Sequence, residues 1–103
     1  MSKSNFTIRF LTIAEDDFSE IISFIAADNI KSAKNLADKI EKNLELISQN
    51  PQLGKVPGDP DIKKLEYCYL VIENYLIFYK VENKTFFIHR ILHSARDYKT
   101  LLL

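Results

Sequence analysis

The chain is poor in the residues that mark several specialised classes of protein. Its 103 residues include one cysteine, no tryptophan, two glycines and three prolines. A single cysteine cannot form an internal disulfide, and a low-complexity or collagen-like chain would need far more glycine and proline. Cys68 lies within an apolar, strand-like stretch, so we interpret it as a small buried side chain rather than a nucleophile. The composition predicts one globular domain spanning residues 1–103.

Long hydrophobic runs are also missing. The sequence has no stretch of about 18 apolar residues, which argues against a transmembrane helix and a membrane partner. Residues 1–10 lack the apolar core of a signal peptide. We therefore expect a cytoplasmic protein.

Neither sign of charge is in excess, because 14 Lys and Arg residues balance 14 Asp and Glu residues. Proteins that bind nucleic acid through its phosphates are usually basic, so we expect no direct DNA binding by this chain alone. The charge is nevertheless uneven, since residues 84–99 carry four cations and one acid. A mildly positive field is expected only towards the C-terminal end.

The most informative stretch is the C-terminal part of the chain. Residues 75–81 are almost all apolar, aromatic or β-branched, residues 82–84 predict a turn, and residues 85–92 predict the return strand of a hairpin. Asn83 is the turn residue best suited to a positive φ. Polar chemistry is densest at the end of this hairpin, in the set His89, Arg90, His93, Arg96 and Tyr98.

The N-terminal part predicts a strand followed by a helix. Residues 6–13 alternate apolar and polar positions as a half-buried strand does. Thr12 and Glu15 fit a capping box, with Thr12 as the N-cap of a helix that ends near Ala27. The apolar stripe of this helix is Phe18, Ile21, Ile22 and Ile25.

A second helix is predicted from about residue 30 to 48, with Asn29 as its N-cap. Because the break at residues 28–29 is so short, the two helices must form an antiparallel hairpin. The expected buried face of the second helix is Ala33, Ala37, Ile40, Leu44 and Ile47, with Leu36 flanking it.

The remaining segments complete an α+β pattern. All prolines and glycines lie in residues 51–60, which predict a loop. Residues 63–73 predict a strand that turns at 73–74, and residues 96–102 predict a short helix or an extended tail. The order β-α-α-β-β-β places a helical hairpin on one face of a mostly antiparallel sheet.

This order, together with NYLIFY at 74–79 and RILHSARDY at 90–98, resembles the RelE/ParE superfamily of type II toxin–antitoxin toxins over the whole chain. The resemblance implies a small bacterial toxin that inhibits growth, is associated with plasmid stabilisation, uses no cofactor and is neutralised by a cognate antitoxin. RelE-like members cut messenger RNA on the ribosome, whereas ParE-like members bind and inhibit DNA gyrase without chemistry of their own.

RNA cleavage by a RelE-like toxin would need a base, an acid and cations near the phosphate, but no metal. In that case His93 is the candidate base or acid, Arg90 and Arg96 are candidate phosphate clamps, and Tyr98 is a candidate stacking or proton-donating group. If the chain instead binds gyrase, these four residues and Lys99 are the candidate target-binding residues.

Each of these residues also has a purely structural interpretation. His93 could simply hydrogen-bond to the end of the chain, and Tyr98 could be a core or rim aromatic residue. Arg96 and Asp97 could form a local pair or cap the last helix. His89 is expected to be a surface or packing residue.

Two departures from the RelE-like nucleases favour the ParE-like branch. Those nucleases carry an arginine directly after the tyrosine that opens the third strand, whereas here Tyr75 is followed by Leu76, which cannot bind a phosphate. They are also strongly basic, unlike this chain. We therefore predict a gyrase-directed toxin that is not an enzyme, with a ribosome-dependent mRNA endonuclease as the alternative.

Overall fold

In the computed structural model, which describes residues 6–103, the predicted α+β order is confirmed. The strands are β1 (Thr7–Phe10), β2 (Cys68–Ile72), β3 (Tyr75–Glu82) and β4 (Thr85–His93). The helices are α1 (Thr12–Asp28), α2 (Ile30–Gln49), α3 (Pro60–Lys64) and α4 (Tyr98–Leu102), with a 3-10 turn at Pro51–Leu53. The sheet order is β1-β4-β3-β2, with β1 parallel to β4 and the other pairs antiparallel.

The two long helices form the predicted hairpin. Asn29 is the single residue between them, and its side chain accepts a hydrogen bond from Ser32 N at 3.0 Å, which confirms it as the N-cap of α2. Phe18 of α1 and Leu44 of α2 line the same cleft, so the first half of α1 lies beside the second half of α2. The hairpin is therefore antiparallel.

The apolar faces of this hairpin and of the sheet meet in what we call the helix-side core. Leu36 is 3% exposed and belongs to this core, although it was expected only to flank it, whereas Ala37 is half-buried. Fully or nearly fully buried members of the helix-side core are Ala14, Leu36, Ile40, Leu44, Ile47, Ile72, Ile77, Tyr79, Phe86, Ile88 and Ile91.

The opposite face of the sheet carries a second, smaller group of buried residues, the opposite-side core. The two short helices α3 and α4 cover it, so β3 is buried on both faces. Its buried members are Ile62, Leu76, Phe78, Leu92 and Leu102.

Several sequence-based boundaries are wrong, beginning with the first strand, which spans Thr7–Phe10 rather than residues 6–13. Thr12 is not an N-cap, because Leu11 takes that position: its N–H still donates to Ile88 O of the sheet, while its carbonyl already accepts from Glu15 N at 3.0 Å. Leu11 is thus the single residue between the end of β1 and the start of α1. The strand predicted from residue 63 begins only at Cys68, because Asp59 caps a helical turn there by accepting from Ile62 N at 3.3 Å.

Both hairpin turns depend on residues with positive φ. Asn83 has φ of 50°, as predicted, and Lys84 has φ of 63°, so β3 and β4 are joined by a two-residue turn and Glu82 already belongs to β3. Glu73 has φ of 53° in the β2–β3 turn.

Within residues 6–103, no helix is long and apolar enough to cross a membrane.

Candidate target-binding cleft

The end of β4 is the part of the sheet that the candidate residues share. β1 pairs with β4 only as far as Ile88, so beyond this point the edge of β4 faces α1 instead of a strand. The carboxylate of Asp17 takes over the role of the missing strand by accepting a hydrogen bond from Ile91 N at 3.0 Å. A side chain of α1 therefore satisfies the backbone where β1 has ended.

The same carboxylate binds Arg90. Arg90 Nε donates to Asp17 Oδ2 at 2.8 Å and Arg90 Nη2 donates to Asp17 Oδ1 at 3.0 Å, a two-point contact that matches the planar guanidinium. The side chain of Arg90 is 15% exposed and that of Asp17 is 12% exposed. The hydrogen bond to Asp17 raises the pKa of Arg90. The charge of this arginine is thus matched within the protein.

A cleft of about 360 Å³ lies beside this ion pair, between α1 and the end of β4. We call it the helix–strand cleft. Its α1 residues are spaced so that they share one helical face. The lining residues are Asp17, Glu20, Ile21, Phe24, Tyr75, Ile91, His93 and Arg96.

His93 stands in this cleft with one ring nitrogen already engaged. Its Nδ1 accepts a hydrogen bond from Ala95 N at 3.0 Å, so in the neutral ring the other nitrogen, Nε2, carries the hydrogen. The ring packs edge-on against Tyr75, its cross-strand neighbour, with 5.2 Å between centroids. In this arrangement His93 is a hydrogen-bond donor held in a fixed orientation.

Arg96 also lines the helix–strand cleft. Its side chain is exposed and has no carboxylate partner among the described residues. Its own backbone N–H donates to His93 O at 3.0 Å, which ties its loop to the end of β4. Its side chain is therefore positioned beside His93 while its charge remains available to a partner.

Tyr98 and Lys99 lie apart from the helix–strand cleft, on the other side of the sheet. Tyr98 packs against Phe78 with 5.6 Å between ring centroids and lines a second cleft of about 260 Å³. Lys99 Nζ lies 3.2 Å from Asp59 Oδ2 and 3.1 Å from Asp61 Oδ2. Hydrogen bonds to Asp61 and Asp59 raise the pKa of Lys99. Lys99 thus connects α4 to α3.

Asp97 caps α4, one of the two roles that sequence reasoning allowed for it. Its carboxylate accepts from Thr100 N at 3.3 Å and from Thr100 Oγ1 at 2.7 Å. These two hydrogen bonds lower the pKa of Asp97. Asp97 thus bonds within α4 rather than to the neighbouring Arg96.

The five candidate residues therefore divide into three groups. His93 and Arg96 share the helix–strand cleft, Arg90 is paired with Asp17 in its wall, and Tyr98 and Lys99 belong to the opposite side. Sequence reasoning missed the contribution of α1 to the cleft. One signal was present: Phe24 lies off the apolar stripe of α1, and in the structure it is 82% exposed.

Solved structures that share this architecture include two from toxin–antitoxin systems. The chromosomal ParDE system from P. aeruginosa superposes with a TM-score of 0.69 at 18% identity, covering 89% of this chain and 98% of that one. The RelBE2 toxin–antitoxin complex from Mycobacterium tuberculosis gives a TM-score of 0.59 at 17% identity, covering 92% and 98%. At these identities the likeness shows the fold alone, which is the α+β fold expected for the RelE/ParE superfamily.

The sequence identifies the branch within that superfamily. Residues 8–98 match the profile of the ParE toxin of type II toxin–antitoxin systems, parDE. Because this match spans most of the chain, the protein belongs to the ParE toxin family. No curated protein matches the chain significantly.

Proposed function

We propose that this toxin inhibits DNA gyrase by binding to it, and that a cognate antitoxin neutralises it. Membership of the ParE family supports this target over the ribosome. The observation that carries the proposal is that Arg90, one of the two candidate phosphate clamps for RNA cleavage, is held by Asp17 in a two-point ion pair. A guanidinium matched in this way would have to break its pair before it could bind a phosphate.

Two further positions favour binding over chemistry. Leu76, which stands where the nucleases carry an arginine, is 9% exposed and belongs to the opposite-side core, so even an arginine substituted there would disrupt packing before it reached RNA. The Nδ1 lone pair of His93 is engaged by Ala95 N. A general base needs a free lone pair within reach of the proton that it removes.

The helix–strand cleft has the composition of a binding surface. Among its lining residues, Phe24 is mostly exposed, Tyr75 is half-buried, and Arg96 is exposed without a carboxylate partner in the described part of the chain. Aromatic residues and arginine are the types that most often dominate the energy of protein–protein interfaces. We propose that gyrase contacts this cleft through an apolar segment that carries an acidic group opposite Arg96.

The proposal is tested with purified toxin in two parallel assays. The first measures DNA supercoiling by gyrase, and the second maps cuts in a reporter messenger RNA on translating ribosomes. We expect supercoiling to be inhibited and no codon-positioned cuts to appear. Cuts that disappear in the His93→Ala variant, with supercoiling unaffected, would establish the nuclease instead.

The antitoxin is tested separately by expression in growing cells. Expression of the intact chain alone should arrest growth, and co-expression of the short protein encoded beside it should restore growth. Normal growth during expression of the folded, intact chain would contradict the assignment of toxicity.

A further inference from the structure

Helix α1 carries apolar side chains on two of its faces. One face packs into the helix-side core through residues such as Phe18 and Ile22. The other face holds Ile13 and Phe24, which are 46% and 82% exposed although both are large and apolar. Their spacing in the sequence corresponds to three helical turns, so the two side chains lie on the same side of α1. The packing of the protein itself does not account for this second face.

The helix–strand cleft continues along the second face of α1. Phe24 lines both this cleft and a further opening of about 570 Å³ at the turn between α1 and α2. We call the further opening the hairpin-turn cleft. Its lining residues are Phe24, Ile25, Ala27, Asp28, Asn29 and Ser32. The two clefts thus meet at an exposed aromatic ring, and together we call them the α1 groove.

The charges along the α1 groove are arranged in a fixed order. Arg96 lies in the helix–strand cleft, and the exposed carboxylate of Glu20 lines the same cleft. Asp28 lines the hairpin-turn cleft and makes no ion pair with any described residue. Helix α1 holds five carboxylates and no lysine or arginine, so no cation of this helix offsets them. A segment bound in the groove therefore meets a cation in one cleft and carboxylates along α1.

The position of Asp28 is unfavourable for the helix that contains it. Asp28 is the last residue of α1, where the helix dipole disfavours a negative charge, and no basic residue stands in the last turn. The carboxylate thus gives α1 no stability that would explain it. A cation supplied by a bound partner would offset its charge.

The backbone of the groove wall indicates the shape of the partner. Beside β4, the N–H of Ile91 already donates to Asp17 at 3.0 Å, so a strand added here would find this donor occupied. A helix satisfies its own backbone hydrogen bonds and presents only side chains to a groove. From Asp17 to Asp28, α1 rises about 16 Å, which is the length of three helical turns.

We propose that the α1 groove binds an amphipathic helix of gyrase about three turns long. An acidic group of that helix lies opposite Arg96, its basic groups lie opposite Glu20 and Asp28, and Phe24 is the central apolar contact. The inference rests on the proposed function and extends it, because it assigns the secondary structure of the bound segment and the direction in which it runs along α1.

The test measures the affinity of labelled full-length toxin for the gyrase holoenzyme by fluorescence anisotropy, alongside inhibition of supercoiling. Phe24→Ala should weaken binding about 10-fold or more, as expected for a central interface anchor. Phe24→Leu keeps an apolar side chain and should retain most of the affinity.

Reversal of the charge at Asp28 tests the direction of the bound helix. Asp28→Lys should weaken binding about 5-fold at low salt and less at high salt, because salt screens exposed charges. Lysine suits the end of a helix better than aspartate does, so loss of the fold would not explain this effect. Asp38→Lys on the exposed side of α2 makes the same change of charge and should leave the affinity within about twofold of the parent.

A photo-crosslinking amino acid at position 24 or at position 28 tests the secondary structure of the bound segment. The two positions lie one turn apart on α1, so the labelled gyrase residues should stand three or four positions apart within one segment. Labels on separate segments, or two positions apart as in a strand, would overturn the proposal.

The outcomes separate this inference from the proposed function. If the parent toxin neither binds gyrase nor inhibits supercoiling, both fail. If the parent does both, and Phe24→Ala and Asp28→Lys bind as tightly as the parent, only this inference fails. Loss of self-association or of antitoxin binding in Phe24→Ala, with gyrase binding unchanged, would assign the groove to a second copy of the toxin or to the antitoxin and would also overturn it.

Discussion

The two faces of the sheet are stabilised in different ways. The helix-side core is covered by helices of 17 and 20 residues, whose apolar positions recur with the helical period. The opposite-side core is covered by two helices of five residues each, held by the caps Asp59 and Asp97 and by the ion pairs of Lys99. One face therefore depends on extensive apolar burial, and the other depends on a few apolar side chains together with exposed polar contacts.

The largest expected difference between the faces is in the cost of truncating a buried side chain. Ile40 is fully buried in the helix-side core, so Ile40→Ala should lower the free energy of unfolding by about 2–5 kcal/mol. Leu102→Ala in α4 should fall at or below the lower end of that range, because Leu102 retains 9% exposure and its helix has one turn to rearrange. Urea denaturation measures both, and equal costs would contradict the distinction.

The next difference concerns two kinds of ion pair. Asp17→Ala removes the partner of a mostly buried arginine and the acceptor of Ile91 N, so it should destabilise the protein by about 3 kcal/mol. Asp61→Ala removes one of the two carboxylates bound by Lys99 in a solvent-accessible pair, so it should destabilise the protein much less than Asp17→Ala does. Thermal unfolding compares the two variants with the parent. A cost for Asp17→Ala no larger than that for Asp61→Ala would show that the Asp17–Arg90 pair does not stabilise the wall of the cleft.

These differences explain what the sequence could predict. Long helices can be predicted from apolar residues that recur with the helical period, so α1 and α2 were predicted correctly. The Asn29 cap was also predicted correctly. Helix α3 was missed because five residues are too few to show a period, although Asp59 followed by Pro60 is a recognisable helix start. The opposite-side core was missed with it, since alternation within β3 cannot reveal what covers its second face.

The cleft was predicted only in part for a related reason. His93 and Arg96 stand close together in the sequence, and their proximity could be inferred from the hairpin and tail. Asp17 lies 73 residues from Arg90, and nothing local indicates that β1 ends early and leaves the β4 edge to a carboxylate of α1. A contact of this kind depends on the register of β1 against β4, which single-sequence reasoning does not provide.

The smallest expected effect is the pH dependence of α4. Hydrogen bonds from Thr100 lower the pKa of Asp97, so the contribution of this cap is complete above the pKa of an unfolded aspartate, about 3.9, and is lost as the pH falls through the lower folded value. Unfolding midpoints should therefore fall more steeply below about pH 4 for the parent than for Asp97→Asn. Asp38→Asn, an exposed position of α2, is the control and should follow the parent. Identical curves for the parent and Asp97→Asn would exclude the cap as a source of acid sensitivity.

The most direct test of the proposal that this toxin acts by binding is the concentration of toxin that halves gyrase supercoiling. Arg96→Ala in the helix–strand cleft should raise that concentration about 5-fold to 100-fold, the range expected for an interface anchor. His93→Ala should also raise it without abolishing inhibition. Lys31→Ala on the exposed side of α2 should leave it unchanged. No effect of Arg96→Ala on supercoiling, together with codon-positioned cuts in messenger RNA that require His93, would contradict the account.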